Sequence, residues 1–188
     1  TARVAAGLGT IARVVADSQP IYRERLPVAE GLSRIDALYR PFHAALGELL
    51  EATRARFGFA VLVDCHSMPS AARGLDAADR PDIIVGDRFG TSCDRSVTAA
   101  TSEIFGALGY RVGCNRPYAG GFITERYGRP SDGVHVVQVE INRALYMDEA
   151  RCVKAAGFDR VRRDMLSFAA ELVEALFPEA RRGAEAAE

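Results

Sequence analysis

The sequence predicts an α/β fold, one sheet covered by helices on both faces in a three-layer α/β/α arrangement. Three observations carry this. Phe59–Pro69, FAVLVDCHSMP, is a Val-rich apolar run bounded by Gly58 and Pro69 that passes directly into a polar cluster. Such a run reads as a buried strand, and ligands in these sheets bind beyond the strands' carboxyl ends. Residues 134–141, VHVVQVEI, form a second strong strand. Apolar residues at spacings of three and four flank these strands on either side in sequence.

Taken in order, the chain begins with Gly7-Leu-Gly-Thr-Ile-Ala12, a loose match to a dinucleotide-binding loop. That loop needs a hydrophobic strand before it and a βαβ unit around it; only TARVAA precedes it here, so a glycine-bearing turn is the better reading. From about Pro27 to Arg56, residues Leu32, Ile35, Leu38, Tyr39, Phe42, Leu46, Leu49 and Leu50 mark a helix. Pro41 should kink or divide it, and His43 reads as a packed or surface residue. The strand 59–64 follows, then a polar loop over 70–80 and a short strand at 82–86. Ser92 or Asp94 can cap a helix over 95–108 that Gly109 ends. Tyr110–Cys114 is a third strand, and the loop Asn115–Thr124 carries Gly120 and Gly121 side by side. After strand 134–141, an amphipathic helix runs over about 159–177. The 188 residues fit one domain, and the tail 180–188 has no apolar face to bury and reads as a frayed end.

Composition narrows the function classes. Hydrophobic content of 48% and charged content of 26% are those of a globular protein, and the net charge of −1 offers nothing to nucleic acid or a membrane surface. Lys154 is the only lysine. No apolar run approaches the roughly 20 residues of a transmembrane helix, and no signal-peptide pattern is present. Cys65, Cys93, Cys114 and Cys152 form no CxxC pair and read as reduced thiols, which points to the cytoplasm.

Strand alternation gives the chemistry. Asp64 and His66 share one face of the first strand and Cys65 the other. An imidazole oriented by a carboxylate is the usual arrangement of a metal-ligating histidine; a histidine that caps the strand and bonds a loop is the alternative. Gln138, Glu140 and Asn142 share one face of the last strand. A glutamate in an apolar strand is costly unless paired, and Arg143, a metal-bound water or a substrate could pair with it, as could a structural salt bridge. The Gly120–Gly121 pair allows either a tight turn or a close backbone approach to a ligand. A serine hydrolase is disfavoured because GxSxG is absent and Ser67 adjoins His66 too closely for triad geometry. A cysteine hydrolase is disfavoured because Cys65 faces away from His66. The clusters His66–Ser67, Asn115–Thr124 and Gln138–Arg143 are expected to converge.

In combination, DCHSMPS, NRPYAGGFITERYGRP and HVVQVEINRALYMDE, with GLGTIARVV near the start, resemble the N-formylglutamate amidohydrolase family from about Gly7 to Glu149. The resemblance implies a mixed sheet of the zinc-carboxypeptidase-like, phosphorylase/hydrolase-like kind. It implies hydrolysis of N-formyl-L-glutamate to formate and glutamate, a step of histidine breakdown. It makes His66 a ligand to Zn2+ or another divalent metal, with Asp64 and Ser67 beside it. Glu140 becomes the catalytic carboxylate, while Asn115, Tyr118, Gly120 and Gly121 shape the substrate pocket. Arg116 and Arg143 are candidates for the substrate carboxylates, with Arg143 better placed. The partner is then a small N-acyl amino acid.

The chain departs from the family in one respect. Members carry an upstream Pro-His-Ser-Gly segment with further metal ligands and an Asn-Arg pair for the substrate, and none of it stands before Thr1. A catalytic zinc takes three protein ligands, so the ligand set is expected to be incomplete. The expectation is that 1–188 is a hydrolase domain lacking its N-terminal part, inactive alone. A related zinc deacylase or carboxypeptidase with another N-acyl substrate, and a non-catalytic remnant of the fold, are the alternatives.

Overall fold

The computed structural model describes residues 2–15, 18–70 and 80–177. The sequence reading treats 1–188 as one domain; by its contacts the chain divides into two units, Thr1–Leu49 and Leu50–Glu188. Residues 71–79 of the polar loop and the tail from 178 lie outside the described residues. No helix among the described residues is long and apolar enough to cross a membrane.

In the first unit, α1 (Ala2–Ala5) leads into a turn at Gly7, whose φ is +80°. The GLGTIA segment is thus a glycine-bearing turn, closed by an isolated Leu8–Ala12 bridge. Farther along, α2 (Val28–Arg34) passes into a π-helical turn over Ile35–Tyr39 and then into α3 (Arg40–Phe57). The division expected at Pro41 is this widened turn: proline has no N–H for the residue four back. His43 packs edge-on against Tyr39 and Phe42, with ring centroids 4.2 and 5.1 Å away.

The second unit is built on a four-stranded mixed sheet. β1 (Ala60–Met68) lies parallel to β4 (Val134–Asn142) in a nine-residue register from Ala60↔Val134 to Met68↔Asn142. β2 (Ile83–Gly86) is antiparallel to β4 and parallel to β3 (Val112–Cys114), giving the order β1-β4-β2-β3. α4 (Arg95–Ala107) and α6 (Phe158–Leu176) cover one face. Their core joins Ile83, Val85, Val137 and Val139 of the sheet to Phe105 and Phe168, whose rings stack at 4.3 Å. Beyond β4 this apolar face continues as a groove of about 970 Å3 lined by Val61, Val63 and Cys65 of β1 and by Leu172 of α6. A short α5 (Phe122–Tyr127) lies near β4, and a small hairpin, β5 (Met147–Asp148) with β6 (Val153–Lys154), precedes α6.

Four details differ from the sequence reading. β1 runs on through Asp64, His66 and Ser67 to Met68, instead of ending at residue 64. Pairing with β4 along the full register supplies the backbone partners that keep these polar residues in the ladder. α5 occupies part of what reads as loop, because FITERY is too short to show a helical period. Asp94 sits at the N-cap of α4 but makes no side-chain cap bond; its backbone N–H donates to His135 Nδ1 at 3.2 Å. The β5–β6 hairpin is the fourth, two residues per strand being below what patterning can register.

Candidate active site

The face of the sheet opposite α4 and α6 is polar where β1 and β4 run side by side. The parallel register sets His66 beside Glu140 and Asp64 beside Gln138, and the antiparallel register sets Gly86 of β2 on the other side of Gln138. Cross-strand partners share a face, so four polar side chains separate in sequence stand together. His66 Nε2 lies 3.1 Å from Asp64 Oδ1, the carboxylate-oriented imidazole that strand alternation predicts. His66 keeps 47% of its side chain exposed while Asp64 keeps 12%. Asp64 Oδ2 is buried with no hydrogen-bond partner among the described residues.

Glu140 is buried, and its hydrogen-bond partner is Gln138, whose Nε2 donates to Glu140 Oε1 at 3.0 Å. Burial pushes the Glu140 carboxyl above its usual range; His66 and Arg143 pull it back, and Asp64 adds to the rise. Arg143 is turned to Ser67, donating from Nε to Ser67 Oγ at 3.2 Å and from Nη2 to Ser67 O at 3.3 Å. It acts on Glu140 through its charge and clamps the end of β1. The carboxylate of Glu149 accepts from the Ser70 N–H just beyond.

The Asn115–Gly121 loop crosses the same face. A side chain at Gly86 would meet the Ala119 and Gly120 backbone at 2.8 and 2.9 Å, so only glycine lets the loop lie so close to β2. Gly120 has φ +120°, and a Cβ there would strike Thr124 Oγ1 at 2.6 Å. The Gly121 N–H donates to Gln138 Oε1 at 2.8 Å. The backbone at Gly120 and Gly121 therefore packs closely against the protein's own strands β2 and β4. Asn115 is committed within the scaffold. Its Oδ1 accepts from the Asp87 and Phe89 N–H groups and its Nδ2 donates to Asp87 Oδ1. Tyr118 is half-buried on this loop and Arg116 is exposed.

Asp87 and Gln138 contribute more than the sequence reading assigns them. Asp87 is 7% exposed and accepts from Gly90 N, Asn115 Nδ2 and Thr98 Oγ1. Burial alone would push its carboxyl up, but these hydrogen bonds outweigh it and hold it below the usual carboxylate range. No sequence signal singles it out from other loop aspartates. Gln138 does carry a signal, a polar residue in an apolar strand on the face of Glu140, and the structure places it between the glycine loop and that carboxylate.

Among the described residues no three His, Cys, Asp or Glu side chains come together as a cation site. His66 could supply one donor to a metal, and a complete three-ligand zinc site does not fit the described residues. The Cys65 thiol, pushed up by burial and by Asp64, is a poor nucleophile on the opposite face.

A family model described as N-formylglutamate amidohydrolase matches residues 1–147. The chain is 38% identical over 136 residues to an N-formylglutamate deformylase of Pseudomonas aeruginosa, and 34% identical over 136 residues to one of Pseudomonas putida. Each alignment covers 71% of this chain and 51% of the relative, so the chain spans about half the length of the curated relatives it matches. The crystal structure of an N-formylglutamate amidohydrolase from Ralstonia eutropha superposes with a TM-score of 0.86 at 34% identity, over 97% of this chain and 65% of that one. A gene product of Agrobacterium tumefaciens shares the fold, with a TM-score of 0.61 at 20% identity over 87% of this chain and 60% of that one.

Proposed function

This chain belongs to the N-formylglutamate amidohydrolase family, and from that premise we propose that it carries the general base of an enzyme cleaving N-formyl-L-glutamate to formate and L-glutamate. The observation that carries the reading is the His66↔Glu140 register on the polar face. It places a buried carboxylate of raised basicity beside an exposed imidazole, under a glycine-bearing loop. In the reaction, Glu140 takes a proton from the attacking water as its oxygen bonds to the formyl carbon. It then gives that proton to the amide nitrogen as the C–N bond breaks, leaving formic acid and the free amine, and the acid proton passes to the amine to give formate and the ammonium. A carboxyl raised by burial is a stronger base than an exposed one, which suits it to take up the water's proton.

Asp64 fixes the imidazole ring of His66. Arg143 holds the end of β1 through Ser67 and keeps positive charge near the site; Asn115 holds the loop that carries Tyr118, Gly120 and Gly121. A divalent metal, when bound, would polarise the formyl carbonyl. His66 is the ligand we assign to this chain. The four cysteines are free, which supports a cytoplasmic setting.

The test is formate release from N-formylglutamate by the whole protein, with N-acetylglutamate and a C-terminal dipeptide as competitors. Preferential turnover of the formyl substrate is the expected result, and preference for either competitor overturns the substrate assignment. His66→Ala should strip most of the metal found by elemental analysis after dialysis; unchanged metal content removes His66 from the ligand set.

A further inference from the structure

We propose that Gln138 is a positioning residue for this reaction, its amide joining the Gly120–Gly121 loop to the Glu140 carboxylate so that loop and base are held as one unit. The inference rests on Glu140 being the base. Gln138 is 4% exposed in a strand whose buried neighbours include Val136, Val137 and Val139. An apolar side chain would be cheaper to bury there unless both ends of the amide are met. Both are met. The Gly121 N–H can only donate, so it fixes Oε1 on the loop side, at 2.8 Å. Nε2 is thereby aimed at Glu140, where it donates to Oε1 at 3.0 Å. The amide has one satisfying orientation, and in that orientation it needs Glu140 as an acceptor.

Three features make this link stiff. Gly86 stands on one side of Gln138 with the Ala119–Gly120 backbone pressed onto it, and Asp64 of β1 stands on the other. Thr124 Oγ1 donates to the Gly121 carbonyl at 2.7 Å, holding the next peptide of the same residue. Engaging Oε1 of Glu140 leaves Oε2 as the oxygen presented to the reacting water. Without the Gln138 donor, the carboxylate beside Asp64 is free to rotate away. A misplacement of about 1 Å at a reacting group costs about 10²-fold in rate.

The experiment is a double-mutant cycle in the whole protein, with Gln138→Met, Gln138→Glu, Glu140→Gln and the Gln138→Met/Glu140→Gln pair. Gln138→Glu keeps an acceptor for the Gly121 N–H and sets a second carboxyl against Glu140 in place of the amide donor, so it holds the loop, disturbs the base and covers the case in which Gln138→Met fails to fold. Both single Gln138 changes should lower kcat on N-formylglutamate by about 10²-fold with KM near the wild-type value. The pair should be no slower than Glu140→Gln alone, because Gln138 acts through Glu140. Wild-type kcat for Gln138→Glu, or losses that multiply in the pair, overturns the proposal. Near-normal kcat for Glu140→Gln would instead sink the base assignment, and that single variant reads it separately from either Gln138 change.

Discussion

Val139 and Glu140 are neighbours on β4 and are buried nearly alike, at 0% and 7% exposure, yet they face opposite sides of the sheet and opposite tasks. Val139 enters a cluster with Val137, Phe105 and Phe168. Burial of each such side chain stabilises the fold by about 1.5–3 kcal/mol. Glu140 enters a cluster of Gln138, His66 and Asp64, where burial raises its proton affinity and costs stability whenever it is ionised. The same depth therefore supports the fold on one face and, on the other, raises the proton affinity of the carboxyl proposed as the base. Substitutions on the two faces should separate stability from turnover.

The largest stability effect belongs to the apolar face. Phe105→Ala removes a ring that is 1% exposed and stacked on Phe168. It should cost about 3–5 kcal/mol, read as a lowered urea midpoint. A loss under about 1 kcal/mol would mean that this cluster is not the core.

Next comes the polar scaffold that holds the loops over the site. Asp87→Asn replaces an acceptor of three hydrogen bonds with an amide that cannot accept them all, and should cost about 1–3 kcal/mol at neutral pH. The depressed Asp87 carboxyl stabilises the fold above its ordinary value of 3.8, and that contribution is lost as pH falls through the lower folded value. Acid unfolding should flatten in the variant over that window. An unaltered acid limb would remove Asp87 from the account.

A smaller effect is expected at the edge of the core. Tyr110 Oη donates to Asp164 Oδ2 at 2.5 Å, and burial and this carboxylate push the phenol up to about 12. Tyr110→Phe should cost about 1 kcal/mol and leave KM unchanged. A thermal midpoint equal to the wild type would show that the bond contributes nothing net.

The apolar face was largely legible in the sequence and the polar face only in part, for a physical reason. Period-two and period-3.6 patterns encode which residues leave water, so the β4 valines, the β1 apolar run and the α6 stripe locate the strands and the long helix. Alternation also puts Asp64 with His66 and Gln138 with Glu140. Pairing between strands is not written in either strand alone. The His66↔Glu140 register depends on β1 and β4 being adjacent and parallel, although 74 residues separate the two side chains in sequence. Hydrogen-bond partners are less visible still. Arg143 stands three residues from Glu140, and the sequence leaves it as one of several possible partners of that carboxylate. The strand end turns its guanidinium to Ser67 instead. Asn115 reads as a pocket residue, but its amide is spent on Asp87 and Phe89.

The most direct test of the contrast between the two faces pairs one stability measurement with one rate on Glu140→Gln in the whole protein. Because the folded carboxyl is raised, its favourable contribution is complete below the ordinary value of 4.5 and is lost as pH rises through the folded value. At neutral pH the neutral amide should therefore keep the thermal midpoint at or above that of the wild type. Formate release should fall by about 10²-fold or more. A variant that unfolds at markedly lower temperature, or one that turns over N-formylglutamate at near the wild-type rate, would contradict the assignment of this buried glutamate to chemistry rather than to the fold.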